Sequence, residues 1–561
     1  MRLSAPIAGA LVLAAGCGSE SAAPANDGSA GDAAPAEGTP WFAEESEARG
    51  LVFAHESGAS GELLMPEIMG GGAALVDVDA DGDLDAYLVQ SGGVRVAAAK
   101  RSPNRLFQND GSGRFDDVTD GSGAGDRGYG MGVAAGDVDG DGLPELYVTN
   151  VGDNALLANL GEARFDDVTD SARAAAGGWS SSAAFLDADL DGDLDLFVVR
   201  YIVWDPDQEL DCANDMGTPD YCSPTAYGAP ALDLLLANRG DGVFDDASRR
   251  AGIDAVAANG LGIVCGDYDG DGWTDVFIAN DQDPDLLWRN AGDGTFRDES
   301  YRAGCALDRD GQAKAGMGVA AADVDEDGDE DLLVCNLSRE SDSYFENRGE
   351  HFVDRTTQLG LRQRSRAFTR FGVGFADFDQ DGRLDLFQAN GRVLRRYPSY
   401  AEADEYAEPN LVLRGTADGR LVEVLPPGGT SENVAATSRA AAFGDVDGDG
   451  AVDVLVVNRD ARAHLLVNRV EERGAWIGLR VLAASGADAL HAVVDVRAGP
   501  RQLRREVRAA ASYLASSSPL LHIGLGALEE VDEVRVRWPD GTEQRFGPLT
   551  AGRVHELRRA D

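Results

Sequence analysis

The sequence predicts an all-β protein: a β-propeller of seven four-stranded blades, followed by a small β domain. Three observations predict it. A nine-residue acidic loop with one pattern of side chains occurs seven times. Each copy lies between two short apolar stretches that read as strands, and successive copies start 50–80 residues apart, which is room for about four short strands.

The first loop is Asp77-Val-Asp79-Ala-Asp81-Gly82-Asp83-Leu-Asp85. Carboxylates stand at positions 1, 3, 5 and 9, with glycine at position 6. A calcium ion takes six to eight oxygen ligands, and a tight loop can supply them from alternate residues, including the carbonyl at position 7. Glycine at position 6 permits the positive φ that turns the chain back around the ion. An EF-hand would close its site with Glu at position 12, but Leu88 stands there, and the flanks are extended rather than helical. The second and third loops carry Asp137, Asp139, Asp141 and Glu145, then Asp187, Asp189, Asp191 and Asp195. The fourth and fifth carry Asp267, Asp269, Asp271 and Asp275, then Asp323, Asp325, Asp327 and Asp331. The sixth and seventh carry Asp377, Asp379, Asp381 and Asp385, then Asp445, Asp447, Asp449 and Asp453. An ordinary solvated turn needs one Asp and one Gly, not four acids spaced around a point. The expected cofactor is therefore Ca²⁺, up to seven ions.

Within 41–470 each unit has an apolar run, the acidic loop, a second apolar run, a third ending in Asn-x-Gly, and a fourth opening with a pattern such as Phe165-Asp-Asp-Val-Thr169. The unit after Asp453 has its third run at His464–Val467 but no fourth. Trp41–Ser46 resembles the missing piece and is expected to supply the outer strand of the last blade, removing two exposed sheet edges.

The ends and the cysteines fix the compartment. Arg2, the short apolar run Ala5–Ala15 and Leu13-Ala-Ala-Gly16-Cys17 read as a secretory signal over 1–17, too short to span a bilayer. Its end resembles a bacterial lipobox, which implies lipidation of Cys17, an exported envelope or outer-membrane location, and membrane attachment through that anchor only. Residues 18–40 are Ser, Ala, Gly, Pro and Asp-rich and read as a tether. Cys212 and Cys222 sit inside an insertion, Tyr201–Leu232, and in an exported chain read as a disulfide. Cys265 and Cys335 lie on apolar strands, and Cys305 in a turn.

The repeats resemble FG-GAP/VCBS repeats, as in integrin α-subunit propellers, and the layout resembles the cartilage acidic protein family and its bacterial relatives. That family ends in an ASPIC/UnbV domain, which residues 474–558 resemble through Trp476-Ile-Gly-Leu479, Tyr513 with Ser516–Ser518, His522-Ile-Gly-Leu-Gly526 and Val534-Arg-Val-Arg-Trp538-Pro-Asp-Gly541. His491-Ala-Val-Val494 departs from a strand that usually contains Gly-Ala. Read from its alternation, this region is a small β domain, expected to pack against the last blade.

The formal net charge of −49 disfavours nucleic acid and anionic lipid as partners. The six histidines are scattered, and neither His-Glu-x-x-His nor Gly-x-Ser-x-Gly occurs. The expected function is a non-enzymatic, calcium-binding surface scaffold for an extracellular or envelope protein or matrix. A glycan-binding accessory protein is the alternative, and an unrecognised hydrolase a third reading.

Overall fold

The computed structural model describes residues 38–560. The signal segment with Cys17 and most of the tether lie outside the described residues.

From Phe42 to Asn468 the described residues hold seven four-stranded antiparallel blades, six as sheets of their own and the first extended to six strands by a C-terminal hairpin. The first is built from Ala73–Val76, Asp85–Leu88, Arg105–Asn109 and Phe115–Asp117 in that spatial order. Five more follow with the same meander, their inner strands being Gly130–Gly136, Ser180–Leu186, Gly260–Gly266, Val319–Ala322 and Arg370–Ala376. In the seventh, Ser438–Gly444, Asp453–Asn458 and His464–Asn468 are joined by Phe42–Glu44 as outer strand, with Phe42 opposite Asn468.

Inner strands neighbour one another in sequence order, and Ser438–Gly444 returns to Ala73–Val76. Their small residues make this approach possible. A Cβ on Gly318 would collide with the carbonyl of Phe371 on the next inner strand. Apolar clusters fill the gaps between adjacent sheets, for example Ala74, Val76 and Tyr87 against Val133, Leu146 and Phe165.

The outer-strand motif has a local purpose. Asp117 Oδ1 accepts from the Thr119 N–H, and Thr119 Oγ1 accepts from the Leu106 N–H on the third strand. Asp167 and Thr169 repeat this in the second sheet.

The C-terminal region from Ala475 has three sheets of its own, the smallest pairing Glu530–Val531 with Leu549–Thr550. Ala475–Leu482 lies between Leu521–Gly526 and Val554–Arg558, while Val493–Ala498 lies between Arg501–Glu506 and Glu533–Arg537, with Glu543–Phe546 at the edge. It meets the last blade as expected, with His522 Nε2 2.7 Å from the Gly450 carbonyl and Ser518 N–H donating to the Phe443 carbonyl, but it also reaches further around the ring. Its core (Ile477, Leu479, Val494, Val534, Trp538) is continuous with side chains of the second and third blades, among them Ala134, Tyr147, Ala183 and Phe185. The reason is electrostatic as well as apolar: its underside meets the acidic loops around the ring.

A segment of this domain also enters the ring. Ala515–Ser516 pairs in parallel with Ala73–Ala74, and Ser512 bridges Val319. Ser512 Oγ accepts from the Val373 N–H, the Leu514 carbonyl accepts from the Val133 N–H, and Leu514 N–H donates to Ser182 Oγ. Tyr513 is fully buried and its hydroxyl donates to the Met69 carbonyl. The Tyr513 and Ser516–Ser518 motif of the sequence is therefore the part that fills the centre.

On the opposite face the insertion lies as a cover. Cys212 and Cys222 are bonded. Glu209 Oε2 accepts from Met65 N–H and Trp204 Nε1, and Asp220 accepts from the Tyr406 hydroxyl and the Arg395 N–H. Cys265, Cys305 and Cys335 are free and buried, so Cys305 belongs to the packed interior despite its place beside a turn.

Candidate metal centres and their braces

Each acidic loop joins the two inner strands of one sheet. The glycine at position 6 has φ between 85° at Gly450 and 98° at Gly82, the left-handed turn the pattern demands. Its N–H points back into the loop: Gly82, Gly142, Gly192, Gly272, Gly382 and Gly450 each donate to the Oδ2 of the position-1 aspartate. Position 4 is also left-handed, including at Ala80, Leu190, Glu326 and Gln380, where no glycine announces it.

This geometry gathers the carboxylates. In the first loop, oxygens of Asp77, Asp79 and Asp81 lie within 4.8 Å of one another, as do those of Asp187, Asp189 and Asp191, of Asp267, Asp269 and Asp271, and of Asp323, Asp325 and Asp327. In the second loop the gathered set is Asp137, Asp139 and Glu145. Several of these oxygens are buried without a hydrogen-bond partner: Oδ1 of Asp77, Asp79, Asp83, Asp267, Asp377, Asp445 and Asp447, and both oxygens of Asp323. A buried, unpaired anionic oxygen is costly, so the donor set fits a hard divalent cation. Asp77, Asp79, Asp81 and their counterparts would hold it, and the ion would supply charge compensation and a rigid joint.

Electrostatics say the same. Without a cation, burial first and neighbouring carboxylates second push Asp83 to about 6 and Asp187 and Asp445 to about 6. Burial likewise raises Asp323 and Asp377 to about 7.

The position-9 acids do a further job. Asp85 accepts from the N–H groups of Val78 and Asn109, and Glu145 from those of Val138 and Asn159. Asp195, Asp275, Asp331 and Asp453 repeat this bridge between the loop and the third strand. Asp385 does so through Phe378 and Gly415. These carboxylates are buried, and desolvation raises Asp85 and Asp195 to about 7 and Glu145 to about 8.

Sequence reasoning gave no role to the asparagine of Asn-x-Gly, and the structure shows it to be a latch between blades. Asn109 Nδ2 donates to the Leu84 carbonyl of its own loop and to the Val446 carbonyl of the seventh. Asn159 reaches Val78, Asn238 reaches Val138, Asn290 reaches Ala188, Asn347 reaches Tyr268 and Asn468 reaches Phe378, each at 2.7–3.0 Å. Its recurrence as the last residue of the third strand in every sheet but the sixth was the available signal. The sixth sheet has Gly415 in this place, so no such amide meets the fifth loop. There the C-terminal domain intervenes: Arg501 donates to both Glu326 of the fifth loop and the Gly382 carbonyl of the sixth, and Arg505 acts on Asp323 and Asp377 together.

Guanidinium groups reach five of the seven loops. Arg480 lies 3.2 Å from Asp77, and Arg537 3.2 Å from Asp267. Arg289 lies 2.5 Å from Asp275, Arg348 3.5 Å from Asp327, Arg414 2.6 Å from Asp379 and Arg49 2.9 Å from Asp447. His491, the departure noted in the sequence, bridges the two parts of the molecule, with Nδ1 2.9 Å from Glu506 and Nε2 3.1 Å from the Phe185 carbonyl.

Comparison with known proteins agrees with this organisation. FG-GAP-like repeat models match residues 77–148, 138–198, 267–334 and 323–387, and the ASPIC and UnbV model matches 483–561. Cartilage acidic protein 1 of Mus musculus is 27% identical over 501 residues, 84% of this chain and 70% of that protein. The Homo sapiens protein of the same name is 26% identical over 510 residues, covering 84% and 69%. Among solved structures, an Agrocybe aegerita lectin that recognises non-reducing terminal N-acetylglucosamine matches 69% of this chain and 85% of its own at 16% identity and a TM-score of 0.36, a likeness too loose to bear on function. The chain is a protein of FG-GAP-like repeats ending in an ASPIC/UnbV domain, homologous to cartilage acidic protein 1 over most of its length.

Proposed function

We propose that this protein is a calcium-stabilised binding scaffold, exported and held at the cell envelope, that presents its propeller to a protein or matrix partner. The observation that supports calcium is the set of gathered loop carboxylates with buried, unpartnered oxygens. A site held at 100 times its dissociation constant adds about 2.7 kcal/mol to folding, so a few filled loops rival the whole stability of an ordinary domain, about 5–15 kcal/mol. Thermal unfolding in excess calcium and in chelator tests this. The midpoint should fall by at least about 10 °C on chelation, and an unchanged midpoint would refute a structural ion.

The C-terminal domain covers the loop face, so the surface offered to a partner is the opposite one. There the disulfide-braced insertion and the loop after Asn390 display apolar groups to solvent: Val203 is 70% exposed, Met216 59% and Tyr397 65%. Capture from envelope extracts should be calcium-dependent and lost in Met216→Asp with Tyr397→Ala. Capture that survives both changes would sink this placement, and binding on a glycan array instead would replace the protein partner by a carbohydrate.

A further inference from the structure

We propose that the seven loops are unequal, and that the second and third (Asp137–Glu145 and Asp187–Asp195) are the tight calcium sites. This rests on the calcium reading and goes beyond it by ranking the sites. The affinity of an oxygen cage for calcium follows the charge of its ligands. In five loops a guanidinium already lies within 4 Å of a loop carboxylate and offsets part of that charge. In the second and third loops no arginine or lysine does so among the described residues.

The surroundings of these two loops reinforce the difference. The second keeps four carboxylates. The third keeps five, counting Asp193 at position 7. Arg250 acts on Asp189 only from beyond ion-pair distance. His491 of the C-terminal domain, which meets the third blade at the Phe185 carbonyl, is engaged by Glu506 and that carbonyl rather than by a loop carboxylate. By contrast Arg289 is itself buried between Asp269 and Asp275, so an ion entering the fourth loop meets a fixed positive charge. The cations came with the sequence of each blade and of the C-terminal domain, and they skip two adjacent blades.

The test is a calcium titration of the full, chelator-stripped chain by calorimetry and equilibrium dialysis, with circular dichroism to follow the fold. Two ions should bind in a separate step at least about tenfold tighter than the rest. Asp139→Asn with Asp189→Asn should remove that step and leave the weaker one. Arg289→Gln with Arg537→Gln clears the fourth loop of both guanidinium groups and should move a third ion into the tight class without touching the first two. A single class of equivalent ions, or a tight step that survives the double substitution, would overturn the ranking while leaving calcium binding intact. No calcium uptake at all would overturn the calcium reading itself.

Discussion

Two fully buried side chains outside the loops set measurable residue-scale behaviour. His55 sits at the ring with Nε2 2.9 Å from Ser91 Oγ and Nδ1 unpartnered. Burial, with Arg459 and Arg439 nearby and only Asp460 opposing them, lowers it to about 4. The unfolded chain takes up this proton below about 6.5 while the folded one waits until about 4. Stability is therefore lost as pH falls through that window, by about 3 kcal/mol at the acid end. Urea unfolding of wild type and His55→Gln between pH 7 and 4 checks it, and the variant should show the smaller slope. Arg439 is wholly buried without a carboxylate partner, donating to the carbonyls of Ile68, Gly391, Ser438 and Arg392 and lying 4.0 Å from the Phe371 ring centroid. Arg439→Met should cost on the order of 3 kcal/mol, because it orphans several buried carbonyls. Neither residue was legible in the sequence, since nothing local marks a side chain whose partners come from distant blades. The position-6 glycines were legible because one residue type answers one backbone requirement. The left-handed turn at Leu190 was not, because the loop forces it on a residue that does not advertise it.

At the scale of elements, the joint between blades is an asparagine amide tied to a buried acid. Asn238→Ala would orphan the Val138 and Leu194 carbonyls and leave the Gly240 and Gly242 N–H groups without their acceptor. It should destabilise by about 2 kcal/mol. The fifth and sixth blades lack that amide, so Arg501→Ala with Arg505→Ala should loosen this joint selectively. Hydrogen exchange should rise at Val319–Val334 and Arg370–Asn390 and stay unchanged across the Asn238 joint; uniform exchange would count against the arginines as a substitute. The acidic loops, the strand count per unit and the N-terminal strand could all be read from spacing. The latch could not, because Asn-x-Gly is equally the mark of a plain turn, and only the fold brings Asn109 to Val446.

For the whole molecule, the C-terminal domain is a part of the ring rather than an appendage to its last blade. Its reach beyond that blade escaped the sequence because the arginines that secure it (Arg480, Arg501, Arg537) are separated along the chain and single in type, whereas their acidic targets repeat. A chain ending at residue 473 should keep its sheets yet expose the lining of the centre, around Ala73, Met131, Leu261 and Phe371. Dye binding to apolar surface should rise and the unfolding transition broaden, and a truncated chain as cooperative as the full one would contradict this.

The outer strand Phe42–Glu44 pairs with His464–Asn468, and Glu45 meets Arg469 across 424 residues of chain. The stretch that threads the centre comes later still, at Ala510–Ser516. The ring around that stretch therefore cannot reach its final state until residues 510–516 are in place. A chain stopped short of that stretch would keep its blades around an unfilled centre.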